Sequence, residues 1–115
     1  MTTAHPPERR RLTVLMCDIV GSTSLALRLD PEELADVIQA FRHRCDHIVQ
    51  WHDGLVARWL GDGMLAYFGY PRAHENDAER AIRASLDLAA EPWEKTTGAA
   101  LAVHIGIATG LVVVG

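Results

Sequence analysis

Two aspartates stand out by their settings. Asp18 closes an apolar run, Thr13-Val14-Leu15-Met16-Cys17, and Asp62 lies in Gly61-Asp62-Gly63 between two further apolar runs, Leu55 to Leu60 and Met64 to Phe68. The first run reads as a buried strand, and an Asp-Gly turn between apolar runs reads as a hairpin. Two carboxylates brought to one place repel each other, and hard oxygen ligands of this kind suit Mg²⁺ or Mn²⁺. Just behind Asp18, Gly21 lets the backbone approach a ligand closely, and Ser22 and Thr23 lead into a short helix. Free N–H groups at a helix start attract phosphate. Metal carboxylates beside such a turn point to a nucleoside triphosphate held by its phosphates.

The elements that must bring these residues together can be read from spacing. Asp30-Pro31-Glu32-Glu33 carries the signals of a helix start, and Leu34, Val37, Ile38, Phe41, Cys45, Ile48 and Val49 follow at helical spacing. Gly54 is expected just past the helix cap. Asn76 with Glu79 predicts a second cap, followed by a small-residue stripe at Ala78, Ala81, Ile82, Ser85, Leu86 and Ala89, closed by Pro92. Thr96-Thr97-Gly98 reads as loop, Leu101 to Ile107 as a strand, Thr109-Gly110 as a turn, and Leu111 to Val114 as the start of another strand. The expected fold class is α+β: a ferredoxin-like βαββαβ sheet with helices on one face. That topology sets the third strand antiparallel beside the first, so Asp18 and Asp62, 44 positions apart, meet at one edge of the sheet.

Composition narrows the field. With 115 residues the chain has room for one domain; residues 1–11 read as a flexible leader and residues 12–115 as the folded part. A hydrophobic share of 49% against 23% charged argues for a globular core rather than disorder. The net charge of −4 excludes general nucleic-acid affinity, and it makes metal ions necessary to bridge the chain to a polyanionic nucleotide. The run Leu12 to Cys17 is too short for a membrane span or a signal core, so a cytoplasmic location is expected. Cys17 and Cys45 show no CxxC spacing and read as reduced, buried thiols.

Four segments in order carry a resemblance: Cys17-Asp18-Ile19-Val20-Gly21-Ser22-Thr23, Leu60-Gly61-Asp62-Gly63, Tyr67-Phe68-Gly69-Tyr70-Pro71, and His104-Ile105-Gly106-Ile107-Ala108-Thr109-Gly110. Together they resemble successive motifs of the class III adenylate/guanylate cyclases, and Arg72 to Ala84 is similar to bacterial members. The resemblance spans residues 11–115 and implies that residues 12–115 are the N-terminal portion of a cyclase catalytic domain. It implies two ions, Mg²⁺ or Mn²⁺, held by Asp18, Asp62 and the Ile19 carbonyl, with Gly21, Ser22 and Thr23 cradling phosphates and Gly61 contributing to the substrate site. The implied reaction is ATP to 3′,5′-cyclic AMP and pyrophosphate by two-metal catalysis, with ATP preferred over GTP. The implied assembly is a homodimer, or a heterodimer with another cyclase domain, with no nucleic acid and no membrane contact in this segment.

Two departures from the family pattern shape the expectation. Where adenine-binding members carry a lysine, four residues before the second aspartate, this chain has Arg58, a planar donor fork rather than a point charge. The family pattern also continues past the point matching Gly115, where its transition-state asparagine and arginine lie. The chain alone is therefore expected to be inactive, and a separate Leu111 to Val114 strand would lack its hairpin partner and invite association. The competing reading is a degenerate, non-catalytic or regulatory cyclase-like dimerisation module. A diguanylate-cyclase reading fails because Leu60-Gly61-Asp62-Gly63-Met64 lacks the GGDEF-like signature.

Each residue also has a plainer reading. Asp18 alone is a solvated turn aspartate, Asp62 a hairpin aspartate, Gly21-Ser22-Thr23 a helix cap, and Arg58 a surface charge on a strand. His43 and His47 fit a solvated helix face, and His104 a sheet position. Trp51, Trp59 and Trp93 fit core or partner contacts.

Overall fold

In the computed structural model, which describes residues 7–114, the run that ends on Asp18 is the later part of a longer strand, β1 (Glu8–Ile19). It is followed by α1 (Ser22–Arg28), α2 (Pro31–Trp51), β2 (Leu55–Leu60), β3 (Gly63–Phe68), α3 (Asp77–Ala90), α4 (Trp93–Thr97) and β4 (Val103–Val114). The four strands form one sheet in the order β2-β3-β1-β4, and every neighbouring pair is antiparallel. This is the expected α+β arrangement, with the third strand beside the first.

Strand periodicity divides the sheet into two faces. Leu15, Cys17 and Ile19 of β1 and Met64, Ala66 and Phe68 of β3 are buried against Phe41, Cys45, Ile48 and Val49 of α2 and Ala81, Ala84 and Leu88 of α3. Trp93 completes this core. Its ring lies 5.1 Å from that of Phe41, and its indole N–H donates to the Leu88 carbonyl at 3.2 Å. The intervening positions of β1, Val14, Met16 and Asp18, stay partly or fully open to solvent on the face without helices.

Helix α2 starts as its sequence signals require: Pro31 is the first helical residue, and the Asp30 backbone N–H donates to the Glu33 carboxylate at 3.1 Å. Its end differs from the expectation. The left-handed residue is Asp53 (φ 58°), not Gly54. Gly54 serves close packing instead: a Cβ there would lie 2.6 Å from Phe68 Cζ and 2.9 Å from Val49 Cγ1. The carbonyls that end α2 are claimed by a buried arginine. Arg80 Nη1 donates to His52 O at 2.6 Å and Asp53 O at 2.9 Å, while its Nη2 pairs with Asp77. Asn76 occupies the position before α3, but its side chain accepts from Arg80 Nε at 3.2 Å rather than capping the helix.

Three other boundaries depart from the reading of the sequence. Part of the expected leader is strand: Glu8 to Arg11 pair with Val114 to Leu111, while residues 1–6 lie outside the described residues. Thr109-Gly110 is not a turn, and Leu111 to Val114 is the second half of β4. The long β1 offers a partner at every step, and the Thr13 and Thr109 hydroxyls bond at 2.8 Å where the turn was expected. Thr96 and Thr97 belong to the short α4, which ends on left-handed Gly98. Among the described residues no helix is long and apolar enough to cross a membrane.

Both cysteines are free and buried. Contact with the Cys17 sulfur, together with burial, pushes the Cys45 thiol above its ordinary range. Neither thiol is expected to react with an aromatic disulfide reagent at pH 8 until denaturant is added, when both should react. Arg80→Met removes the donor from two part-buried carbonyls, His52 O and Asp53 O, and leaves the Asp77 carboxylate with the His74 N–H but without its cation; urea denaturation should show a loss of about 2–3 kcal/mol.

Candidate active site

The site is built by register. Asp18 of β1 pairs with Gly63 of β3 on one side and with His104 of β4 on the other, and Gly63 pairs in turn with Leu60 of β2. Asp62 is the residue before Gly63, so the backbones carrying the two aspartates are adjacent. The Ile19 N–H donates to the Asp62 carbonyl at 3.1 Å, tying the strand end to the hairpin. Gly63 makes room for the first carboxylate: a Cβ there would lie 2.8 Å from Asp18 Oδ1. Both aspartates are half-buried, and among the described residues neither has a lysine, arginine or histidine partner within ion-pair distance.

The hairpin has the form its residues predict. Gly61 takes a positive φ of 62° and Asp62 does not, the pattern of a tight hairpin turn with glycine at its first central position. On the other side of Asp18 the chain turns at Gly21, whose φ of 69° and ψ of 34° place it in the left-handed region before α1. The turn is held from two sides: the Val20 N–H donates to Ala102 O at 2.9 Å, and the Leu25 N–H to Gly21 O at 3.1 Å. Ser22 and Thr23 open α1 next to the aspartate edge.

Arg58 reaches this face through an irregularity. The β2–β3 register shifts between Val56 and Arg58. A one-residue bulge reverses the side-chain alternation beyond it. Val56 and Trp59 therefore both pack toward the core, while Arg58 pairs with Leu65, Leu65 with Met16 and Met16 with Gly106, one row from Asp18 on the open face.

The expected site residues thus fall into one region: Asp18, Ile19, Asp62 and Gly61 at the strand-end edge, Gly21, Ser22 and Thr23 in the adjoining turn, and Arg58 one row away. His43 and His47 are exposed on α2. Trp51 is exposed, Trp93 is in the core, and Trp59 packs on the core edge. Among the described residues a cavity of about 830 Å³ runs along α2 past Leu34, Ile38, Arg42 and Trp59, and neither aspartate lines it. In the sequence Gly63 reads as a hairpin residue and His104 as a sheet position, neither with a place beside Asp18, and Arg42 is not singled out. His104 stands directly across from Asp18, Gly63 shapes its carboxylate pocket, and Arg42 Nη2 donates to the Gly61 carbonyl at 2.7 Å.

Among the described residues no three His, Cys, Asp or Glu side chains cluster. What the edge offers a cation is two carboxylates of hard oxygen character without a competing cation, a donor set that fits Mg²⁺ or Mn²⁺.

The profile of the adenylate and guanylate cyclase catalytic domain matches residues 5–115. An uncharacterised protein of Mycobacterium tuberculosis is 38% identical over 112 residues, which is 94% of this chain and 19% of that protein. Among solved structures, the guanylyl cyclase Cya2 superposes with a TM-score of 0.85 at 33% identity, covering 94% of this chain and 58% of the other. The adenylyl cyclase CyaB from P. aeruginosa gives 0.87 at 26%, covering 96% and 61%. The chain thus spans about a fifth of that mycobacterial relative and about three-fifths of these solved domains.

The contact at Gly63 can be tested directly. Gly63→Ala should push the Asp18 carboxylate aside and cost about 1–3 kcal/mol in urea denaturation, whereas Gly106→Ala, where an added Cβ would meet nothing within 4 Å, should cost less than about 1 kcal/mol.

Proposed function

Because the chain belongs to the adenylate and guanylate cyclase catalytic-domain family, we propose that Asp18 and Asp62 hold the divalent cations of a nucleotide cyclase site, and that the substrate is ATP, converted to 3′,5′-cyclic AMP and pyrophosphate. The register that seats Asp18 beside Gly63, with Asp62 as the adjoining residue, is the observation that carries this reading. When bound, two Mg²⁺ or Mn²⁺ ions supply activation of the ribose 3′-hydroxyl and neutralisation of the departing pyrophosphate.

The protein's own residues have distinct tasks in this reading. Asp18 and Asp62 supply the negative ligands, and the Ile19 carbonyl adds a neutral oxygen. The turn at Gly21 presents backbone N–H groups and the Ser22 and Thr23 hydroxyls to the terminal phosphates. Apart from its two chain neighbours, nothing lies within 4 Å of where a Cβ at Gly21 would stand. Arg58 stands where a lysine reads adenine in other members, and its exposed guanidinium on the open face reaches for a base acceptor. The open sheet face carries exposed Met16 and Leu60 beside the site residues, and it suits pairing with a second cyclase domain, either a like chain or a different one.

A second reading, a non-catalytic or regulatory cyclase-like module, draws on one observation: Arg58 stands where adenine-binding members carry a lysine. Complementation separates the two. The chain is mixed with a complete cyclase domain whose own metal aspartates are replaced by alanine, and cyclic nucleotide is assayed with Mn²⁺-ATP and Mn²⁺-GTP. The expected result is restored cyclic AMP formation, with a smaller GTP rate. Asp18→Ala or Asp62→Ala in this chain should lower the restored rate at least about 10²-fold. A complex that forms without restored activity favours the regulatory reading.

A further inference from the structure

We propose that Arg42 is the positioning residue for Asp62, holding the metal hairpin in place from helix α2. The idea rests on the metal-site reading given above and adds a residue that lies outside every site motif in the sequence.

The geometry is specific. Arg42 Nη2 donates to the Gly61 carbonyl at 2.7 Å, across 19 positions of sequence. Its guanidinium lies 5.5 Å from the Trp59 ring centroid, in cation–π range. Trp59 is turned toward the helices by the register shift in β2, so the same bulge that sends Arg58 to the open face places the ring beneath Arg42. Arg42 Nε is buried and has no hydrogen-bond partner among the described residues. The side chain therefore keeps its hold on Gly61 and Trp59 while leaving one donor unsatisfied, a cost that a solvated orientation would avoid.

The consequence falls on Asp62. Two peptide groups flank its α-carbon. The oxygen of the first, Gly61 O, is held by Arg42, and the oxygen of the second, Asp62 O, is held by the Ile19 N–H at 3.1 Å. With both planes tied, the direction of the Asp62 Cα–Cβ bond is determined. Glycine at 61 has no side chain to restrain the turn and by itself leaves the first plane free to rotate. Arg42 removes that freedom. Groups that orient metal ligands typically contribute about 10–100-fold to metal affinity.

The test uses the 115-residue chain and two readouts. Mn²⁺ affinity is measured by electron paramagnetic resonance for the wild type, Arg42→Met, Arg42→Lys and Asp62→Ala. The backbone order parameter at Asp62 is measured by ¹⁵N relaxation, with urea denaturation as the control for folding. Arg42→Met keeps the aliphatic cover on Trp59 and removes the donor. It should weaken Mn²⁺ binding by about 10-fold or more and lower the Asp62 order parameter from near 0.85 toward 0.6, with β1 and α2 unchanged. Arg42→Lys, which retains a donor, should recover most of both. Unchanged affinity and order at Asp62 in Arg42→Met, with only a shifted denaturation midpoint, would overturn the proposal and leave Arg42 a packing residue. If the wild type itself binds no Mn²⁺, or Asp62→Ala binds as well as the wild type, the metal-site reading fails; the order parameter then still decides whether Arg42 holds the hairpin.

Discussion

The antiparallel ladder between β1 and β3 is the constraint on which the site depends. Six consecutive pairs run from Thr13↔Phe68 to Asp18↔Gly63, and the last of them brings the two aspartates' backbones together. A one-residue slip would turn Asp18 toward the helices, where burying a carboxylate among Phe41, Cys45 and Met64 is prohibitive, and would turn Leu15 and Cys17 to water. The same hydrophobic pattern that stabilises the sheet therefore enforces the position of the acidic residues. Stability and placement are one property here.

The sheet is one-sided, and its two faces divide the labour. The covered face packs aromatic and aliphatic side chains against α2 and α3 and is tied at the α2 exit by Arg80. The open face carries Asp18, Arg58 and His104 among small or half-exposed apolar residues, including Gly106 and Ala108 on β4. The bulge in β2 serves both faces at once, directing Trp59 inward and Arg58 outward. A regular strand of the same six residues could present only one of them correctly.

Several local signals were overruled by longer-range pairing. Arg9 to Arg11 are polar enough to read as a leader, yet they are strand because β4 runs alongside them to Val114. Thr109-Gly110 has turn chemistry but lies within a ladder that continues on both sides. Gly54 follows a helix, yet its lack of a side chain is used to admit the Phe68 ring, while Asp53 takes the left-handed conformation. In each case the residue type permitted two states, and packing chose between them.

The sequence by itself determined the order and type of the main elements, the hairpin at Gly61-Asp62, the turn at Gly21, and the aspartates as the residues of chemical interest. Those features depend on apolar periodicity, capping and turn chemistry, which act over a few residues and are written locally. Only the tertiary structure decided which residues stand beside the aspartates: His104 and Gly63 through register, Arg58 through a bulge, and Arg42 through a side chain that reaches from a helix to a carbonyl 19 positions away. Such neighbours are selected by the fit of segments distant in the chain, and no local pattern records them.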